Sequence, residues 1–159
     1  MLHYTEAGLS HNEVPDETSL CIYISGCVNR CKECHYPELQ DSDYGDLLYK
    51  YIKSLIQLYL NQISCVCFLG EGRNTVHEKS ELIEYCKLAR SYGLKTCLYS
   101  GRDTEIEFWM CDFDYIKLGS FMPDKGALYE QTTNQRMYKK TENGYEDITF
   151  KFWKESKTR

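Results

Sequence analysis

A chain of 159 residues with 42% apolar and 27% charged side chains has the size and balance of one domain with a core of its own. Its net charge of −5 and the lack of a long basic run argue against nucleic-acid binding, and no apolar run reaches the roughly 20 residues of a membrane span. Nine cysteines are an odd number; with no signal peptide at the N-terminus, they indicate a reducing, cytoplasmic setting rather than a secreted disulfide framework.

In chain order, residues 1–19 are polar and irregular and are expected to lie against the domain as a strand or arm. Residues 20–25 are apolar, rich in β-branched and aromatic side chains, and stop at Gly26, which reads as a first buried strand. The loop that follows carries Cys27, Cys31 and Cys34 in a C-x3-C-x2-C pattern. Parallel α/β architectures place their chemistry on such loops at strand C-termini. Thiolates ligate iron–sulfur clusters and zinc. A four-iron cubane is usually held by four cysteines, so three local ones leave one iron open, as a catalytic metal site does. The alternatives are a structural zinc site, which needs a fourth ligand such as His35 or a distant cysteine, and unligated thiols used for packing. Cys34 and His35 are adjacent, which makes joint ligation of one ion awkward.

Asp41 to Gly45 reads as a turn that caps a helix over 46–62, with Leu47, Leu48, Tyr51, Ile52, Leu55, Ile56 and Tyr59 on one broad apolar face. Residues 63–69 are nearly all apolar and predict a strand buried on both faces. Cys65 and Cys67 point to one side of it and Val66 and Phe68 to the other. The two thiols are taken as packing, with a second metal site as the lesser alternative. Gly70-Glu71-Gly72-Arg73-Asn74 is a glycine turn. Thr75-x-x-Glu78 has the form of a capping box opening a helix that Gly93 stops, with Leu82, Ile83, Cys86 and Ala89 inward. A third strand spans 94–99 and ends in Ser100-Gly101-Arg102. Thr104-x-x-Glu107 suggests another capping box before a short helix with Ile106, Trp109 and Met110 inward. The fourth strand, 115–118, contains Lys117, read either as a solvent lysine on an edge strand or as a charge facing a cleft. Residues 137–150 predict a hairpin about Asn143-Gly144, and the charged tail from 151 is expected to fray.

Strands that alternate with helices pair in parallel through right-handed crossovers. The expected fold is therefore α/β: an open partial (β/α) barrel of about four to five parallel strands with flanking helices and a C-terminal hairpin. It is a single domain over 1–159, with its core at about 18–136. The loops after the four strands are expected to gather at one rim.

The C-x3-C-x2-C arrangement resembles the signature of the radical S-adenosylmethionine (SAM) enzymes. The longer string from Cys27 to Gln40 resembles the activating proteins of anaerobic (class III) ribonucleotide reductases. Their motif continues into His-Asn-Pro-Glu; here His35, Pro37 and Glu38 match and Tyr36 stands in place of Asn. The likeness recurs in Phe68-Leu69-Gly70-Glu71-Gly72, Leu98-Tyr99-Ser100-Gly101, Asp114-Tyr115-Ile116-Lys117-Leu118-Gly119 and Thr132-Thr133-Asn134-Gln135-Arg136, and so spans roughly residues 10–138.

The resemblance implies a 4Fe-4S cluster on Cys27, Cys31 and Cys34, with SAM bound to the fourth iron through its amino and carboxylate groups. Glu33 and His35 flank the last ligand, where such proteins meet the adenine with backbone; Glu33 stands where many members carry an aromatic residue. Gly70, Glu71 and Gly72 stand where a Gly-Gly-Glu-Pro segment meets the SAM ammonium, with Leu69 before the Gly-Glu pair and Gly72 in place of Pro. Ser100 and Lys117 are candidates for the carboxylate or ribose. The implied reaction is reductive cleavage of SAM to a 5′-deoxyadenosyl radical. That radical abstracts a Cα hydrogen from the glycyl radical domain of the anaerobic reductase large subunit. The electron comes from an external donor such as flavodoxin or ferredoxin. The competing expectations are an activase of another glycyl radical enzyme and a small iron–sulfur or zinc adaptor without turnover.

Overall fold

The structure, a computed structural model, describes residues 1–26 and 44–153. Its strands are β1 (His3–Ser10), β2 (Ser19–Ile24), β3 (Asp46–Leu47), β4 (Cys65–Leu69), β5 (Lys95–Tyr99), β6 (Tyr115–Leu118), β7 (Arg136–Thr141) and β8 (Gly144–Asp147); its α-helices are α1 (Ile52–Tyr59) and α2 (Val76–Ser91). All eight strands form one sheet in the order β3-β1-β2-β4-β5-β6-β7-β8.

The fold is α/β, as expected, and the parallel strands are the centre of the sheet: β2, β4, β5 and β6 pair in parallel, in register from Leu20↔Val66 to Tyr99↔Lys117. The parallel partial barrel with flanking helices is corrected in two respects. Antiparallel strands extend the sheet on both sides, β1 and β3 beyond β2 and β7 and β8 beyond β6, so it is mixed and dominates the fold. In addition, the described residues hold two α-helices rather than three.

Local competition explains each departure. β1 is disguised in the sequence by a bulge between Tyr4 and Ala7, which breaks the two-residue alternation that announces a strand. The helix expected over 46–62 starts late because Asp46 and Leu47 pair with β1 instead. Gly45 makes that turn at φ +92, with the position of a Cβ only 2.1 Å from the Tyr4 carbonyl oxygen, so no other residue fits there. The third helix is a 3-10 turn over Phe108–Asp112, capped at Glu107 rather than at Thr104. By contrast, α2 is capped as predicted, the Glu78 amide donating to Thr75 Oγ1 at 3.3 Å, and ends at Gly93 with φ +75. Tyr85, rather than Ile83, joins Leu82, Cys86 and Ala89 on its buried face.

The sheet has apolar cover on both faces, which is why β4 lacks alternation. Ile22, Val66, Phe68, Leu98 and Ile116 pack against Ile52 and Ile56 of α1 and Leu82 and Tyr85 of α2. The opposite face presents Cys21, Cys65, Cys67, Cys97, Tyr115 and Met137 to Val14 and Ile148. Cys65 and Cys67 thus pack away from Val66 and Phe68, as predicted. Lys117 is 7% exposed on a strand flanked by β5 and β7, which overturns its reading as a solvent lysine on an edge strand.

The segment between β1 and β2 is pinned across this second face by Glu17. Its carboxylate accepts from Ser64 Oγ at 2.7 Å, Tyr115 Oη at 2.7 Å and Lys95 Nζ at 3.2 Å. Burial raises the pKa of this carboxyl, but the three donors outweigh it and hold it below the usual carboxylate range. A depressed folded-state pKa contributes stability above the unfolded value, near 4.3, and loses it as pH falls through the folded value. Glu17→Ala is expected to cost about 1–3 kcal/mol near neutral pH, because buried donors lose their acceptor. In urea melts, the gap to wild type is expected to close as the pH is lowered below about 4.

Candidate active site

Parallel strands deliver their C-terminal loops to one edge of a sheet, and here those loops interlock. The position of a Cβ on Gly70 would lie 3.2 Å from Ile24 at the end of β2. The Gly70 amide donates to Tyr99 O at 3.0 Å, the Ser100 amide to Lys117 O at 2.8 Å and the Gly119 amide to Arg102 O at 2.9 Å. The segments after β4, β5 and β6 therefore meet as expected, with the end of β2 beside Gly70. Cys27, Cys31, Glu33, Cys34 and His35 lie outside the described residues. The residues on either side of that stretch meet at the same edge, Ser25 Oγ donating to Tyr44 O at 2.5 Å.

At the centre of this edge stands Glu71, 6% exposed. Its Oε1 accepts from Ser100 Oγ at 3.2 Å and from Arg102 Nε. Its Oε2 is fully buried and has no hydrogen-bond partner among the described residues. A buried carboxylate oxygen left without a donor is costly, so this atom is suited to a ligand that brings one. An amino group has the right chemistry, since its N–H bonds supply donors to a carboxylate. The residues present thus fit the amino group that the sequence resemblance assigns to this loop.

The glycine turn holds Glu71 in place through its own backbone. Gly70 and Gly72 have φ +119 and +65, a region that favours glycine. Gly72 stands where the resemblance has Pro, whose ring fixes φ near −65°, so Pro cannot be accommodated in this turn. A Cβ at Gly72 would also come within 2.6 Å of Glu78 Oε2 and 2.7 Å of Leu2 Cδ2. Glu78, 5% exposed, braces the turn further by accepting from the Arg73 amide at 2.9 Å.

Ser100 is fully buried. Its single proton goes to Glu71, while its oxygen accepts from the Arg102 amide at 3.2 Å, so in this arrangement it organises Glu71. Lys117 reaches the same edge from β6: its Nζ donates to Gly119 O at 2.9 Å and lies 5.6 Å from the centre of the Tyr99 ring. The Thr-Thr-Asn-Gln-Arg string packs here as well. Asn134 Nδ2 donates to Ser120 O at 2.9 Å, and Gln135 Cα lies 3.1 Å from where a Gly119 Cβ would stand.

Sequence reasoning missed Arg102 and Glu107 as members of this site. Arg102 Nη1 and Nη2 donate to Glu107 Oε2 and Oε1 at 3.2 and 2.7 Å, and Trp109 Nε1 donates to Glu107 Oε1 at 2.8 Å. The available signal was an arginine two residues beyond Ser100, but Glu107 was assigned to a capping box with Thr104. The Arg102 guanidinium beside Glu107, against an opposing contribution from burial, holds that carboxyl down to about 2. The ion pair is therefore fully formed above the unfolded value near 4.3 and is lost as pH falls through about 2. With Trp153 replaced by Phe, Trp109 fluorescence is expected to titrate near pH 2. A midpoint near 4 would show that Glu107 is not held by Arg102.

Five of the six described cysteines are poorly suited to metal. Cys21, Cys65, Cys67, Cys86 and Cys97 are each at most 2% exposed, and burial pushes the Cys97 thiol up to about 11, while the thiolate is the ligating form. No group of three or more His, Cys, Asp or Glu suited to a metal ion occurs among the described residues, and no helix among them is long and apolar enough to cross a membrane. No known protein family, curated protein or solved structure matches the chain.

Proposed function

We propose that this protein is a radical SAM enzyme that generates the glycyl radical of an anaerobic ribonucleotide reductase. The observation that carries the reading is the buried Glu71 oxygen awaiting a donor, at the edge where four parallel strands end. The stretch bearing Cys27, Cys31 and Cys34 follows one of those strands. In this reading the parallel centre is the wall of an open, partial barrel, and the chain works as one cytoplasmic domain.

Cys27, Cys31 and Cys34 would hold a 4Fe-4S cluster. A fourth thiolate would have to come from elsewhere in the chain. Among the described cysteines, five are packed in the core. The sixth, Cys111, directs its Sγ to the Glu107 carbonyl at 3.9 Å. With three thiolates on the cluster, one iron would be left for SAM. Such a cluster, reduced by an external donor, would supply the one electron that cleaves the SAM sulfonium to methionine and a 5′-deoxyadenosyl radical, and that radical would take the Cα hydrogen of a glycine in the reductase. The protein's own task is orientation and exclusion of water. Glu71 Oε2 would accept from the SAM amino group, the Gly70–Gly72 backbone would line the methionine moiety, and Lys117 would face the carboxylate or ribose. Glu33 and His35, on either side of Cys34 in the sequence, would meet the adenine through their backbone. The chemistry requires an electron rather than a proton, so no general acid or base is assigned.

The test is direct. The protein is reconstituted anaerobically with iron and sulfide, reduced by flavodoxin, ferredoxin or dithionite, and given SAM. Formation of 5′-deoxyadenosine, followed by a glycyl EPR doublet when the reductase is added, is the expected result. Full iron loading without SAM cleavage would mean a non-catalytic iron–sulfur or zinc adaptor. Cleavage without a radical on the reductase would redirect the assignment to another glycyl radical enzyme.

A further inference from the structure

A carboxylate presents four lone-pair directions on two oxygens, and Glu71 is held by only one of its two. Ser100 Oγ and Arg102 Nε both bind Oε1. How firmly Oε2 is presented therefore depends on how firmly Arg102 is held.

Arg102 is itself clamped. The guanidinium is a planar fork whose donors have fixed directions. Its Nε side meets Glu71, while its two terminal nitrogens meet both oxygens of Glu107 at 3.2 and 2.7 Å. The plane cannot turn without breaking bonds to one carboxylate or the other. Glu107 is anchored in turn by the Trp109 indole at 2.8 Å, and Trp109 carries Lys79 Nζ 5.8 Å from its ring centre. The chain of contact runs Trp109, Glu107, Arg102, Glu71, and it couples the loop after β5 to the loop after β4. Arg102 shares one positive charge between two carboxylates, while Lys79 offsets Glu107 from the far side.

We infer that Arg102 and Glu107 are a positioning pair, which fixes the Glu71 carboxylate so that Oε2 is left for the amino group of SAM; this rests on the SAM reading above. The pair touches neither SAM nor iron and acts only through Glu71. A lysine at 102 would keep the charge but lose the fork, since an ammonium cannot serve both carboxylates in fixed directions.

The experiment is equilibrium calorimetry on the anaerobically reconstituted protein, with SAM and with an analogue lacking the amino group. Wild type is expected to bind SAM at least about 10-fold more tightly than the analogue, which lacks both the hydrogen bond to Glu71 and a ligand to iron. In Arg102→Met and Glu107→Gln the part of that preference owed to Glu71 is expected to be lost, a fall of about 10-fold through weaker SAM binding, with the analogue unaffected. Arg102→Lys is expected to recover part of it. Melting temperatures accompany each titration, and the near-isosteric Glu107→Gln decides the matter if Arg102→Met does not fold. Variants that keep the wild-type preference, or that lose SAM and the analogue equally, overturn the inference while leaving the SAM reading intact. Wild-type protein that binds no SAM overturns both.

Discussion

Alanine at Cys27, Cys31 or Cys34 is expected to abolish cluster assembly and SAM cleavage while leaving the fold in place. Alanine at Cys65, Cys67 or Cys97 is expected to do the reverse. Five of the six described cysteines are buried. Cys65, Cys67 and Cys97 lie fully buried in the face that packs on Val14, Met137 and Ile148. Cys21, Cys67 and Cys97 are direct neighbours across three parallel strands, and burial pushes the Cys67 thiol well above its ordinary value. A thiol kept protonated in an apolar layer is inert and fills space. Its removal is expected to cost about 0.5–3 kcal/mol, read as a lower urea midpoint with iron content unchanged. With Cys27, Cys31 and Cys34 assigned to the cluster alone, their loss is expected to leave the urea midpoint near wild type while iron and acid-labile sulfide fall to background. A Cys31→Ala protein that still loads iron and yields 5′-deoxyadenosine would remove the ligand assignment. A Cys67→Ala protein that loses its cluster at full stability would show that the buried thiols bind metal after all.

The largest effect on stability is expected at Phe68. It is fully buried in β4, between Ile22 of β2 and Leu98 of β5. Its ring stacks on Tyr85 at 5.9 Å and 15° and meets Phe113 edge-on at 6.2 Å and 80°. It therefore ties the sheet to α2 and to the segment that follows the 3-10 turn. Phe68→Ala removes the ring and leaves a cavity that a sheet and a helix cannot both collapse into, at a cost of about 3–5 kcal/mol. Against the 5–15 kcal/mol of a typical domain, this should lower the melting temperature by roughly 10 °C. Phe68→Leu keeps much of the volume and should cost far less. Phe68 lies three residues before Glu71, so the alanine variant should also loosen the rim and weaken SAM binding. A loss below about 1 kcal/mol would mean that the aromatic cluster is not the joint between the layers.

The parallel centre of the fold was legible because its signals are local. Apolar runs marked β2, β4, β5 and β6, Thr75 and Glu78 marked the start of α2, and Gly93 marked its end. The same holds for the candidate chemistry: the cysteine spacing and the Gly70–Gly72 turn are read within a few residues. What misled was a local signal that had a distant competitor. The apolar face over 46–62 reads as one helix, but its first two residues pair with β1, some forty residues upstream. Thr104 and Glu107 have capping-box spacing, but Glu107 is drawn to Arg102 and caps a turn of its own.

By itself the sequence determined the order of the central elements, the placing of glycines where only positive φ fits, and the C-x3-C-x2-C spacing that follows the β2 run. Only the tertiary structure decided that the sheet continues on both sides, that Lys117 is buried, and that Glu71 is gripped on one oxygen by an arginine 31 positions away. The physical reason is range. A turn or a cap is decided by dihedral angles and hydrogen bonds within one or two turns of chain, while a strand's partner or a buried charge's counterion is chosen by whatever the folded chain brings beside it.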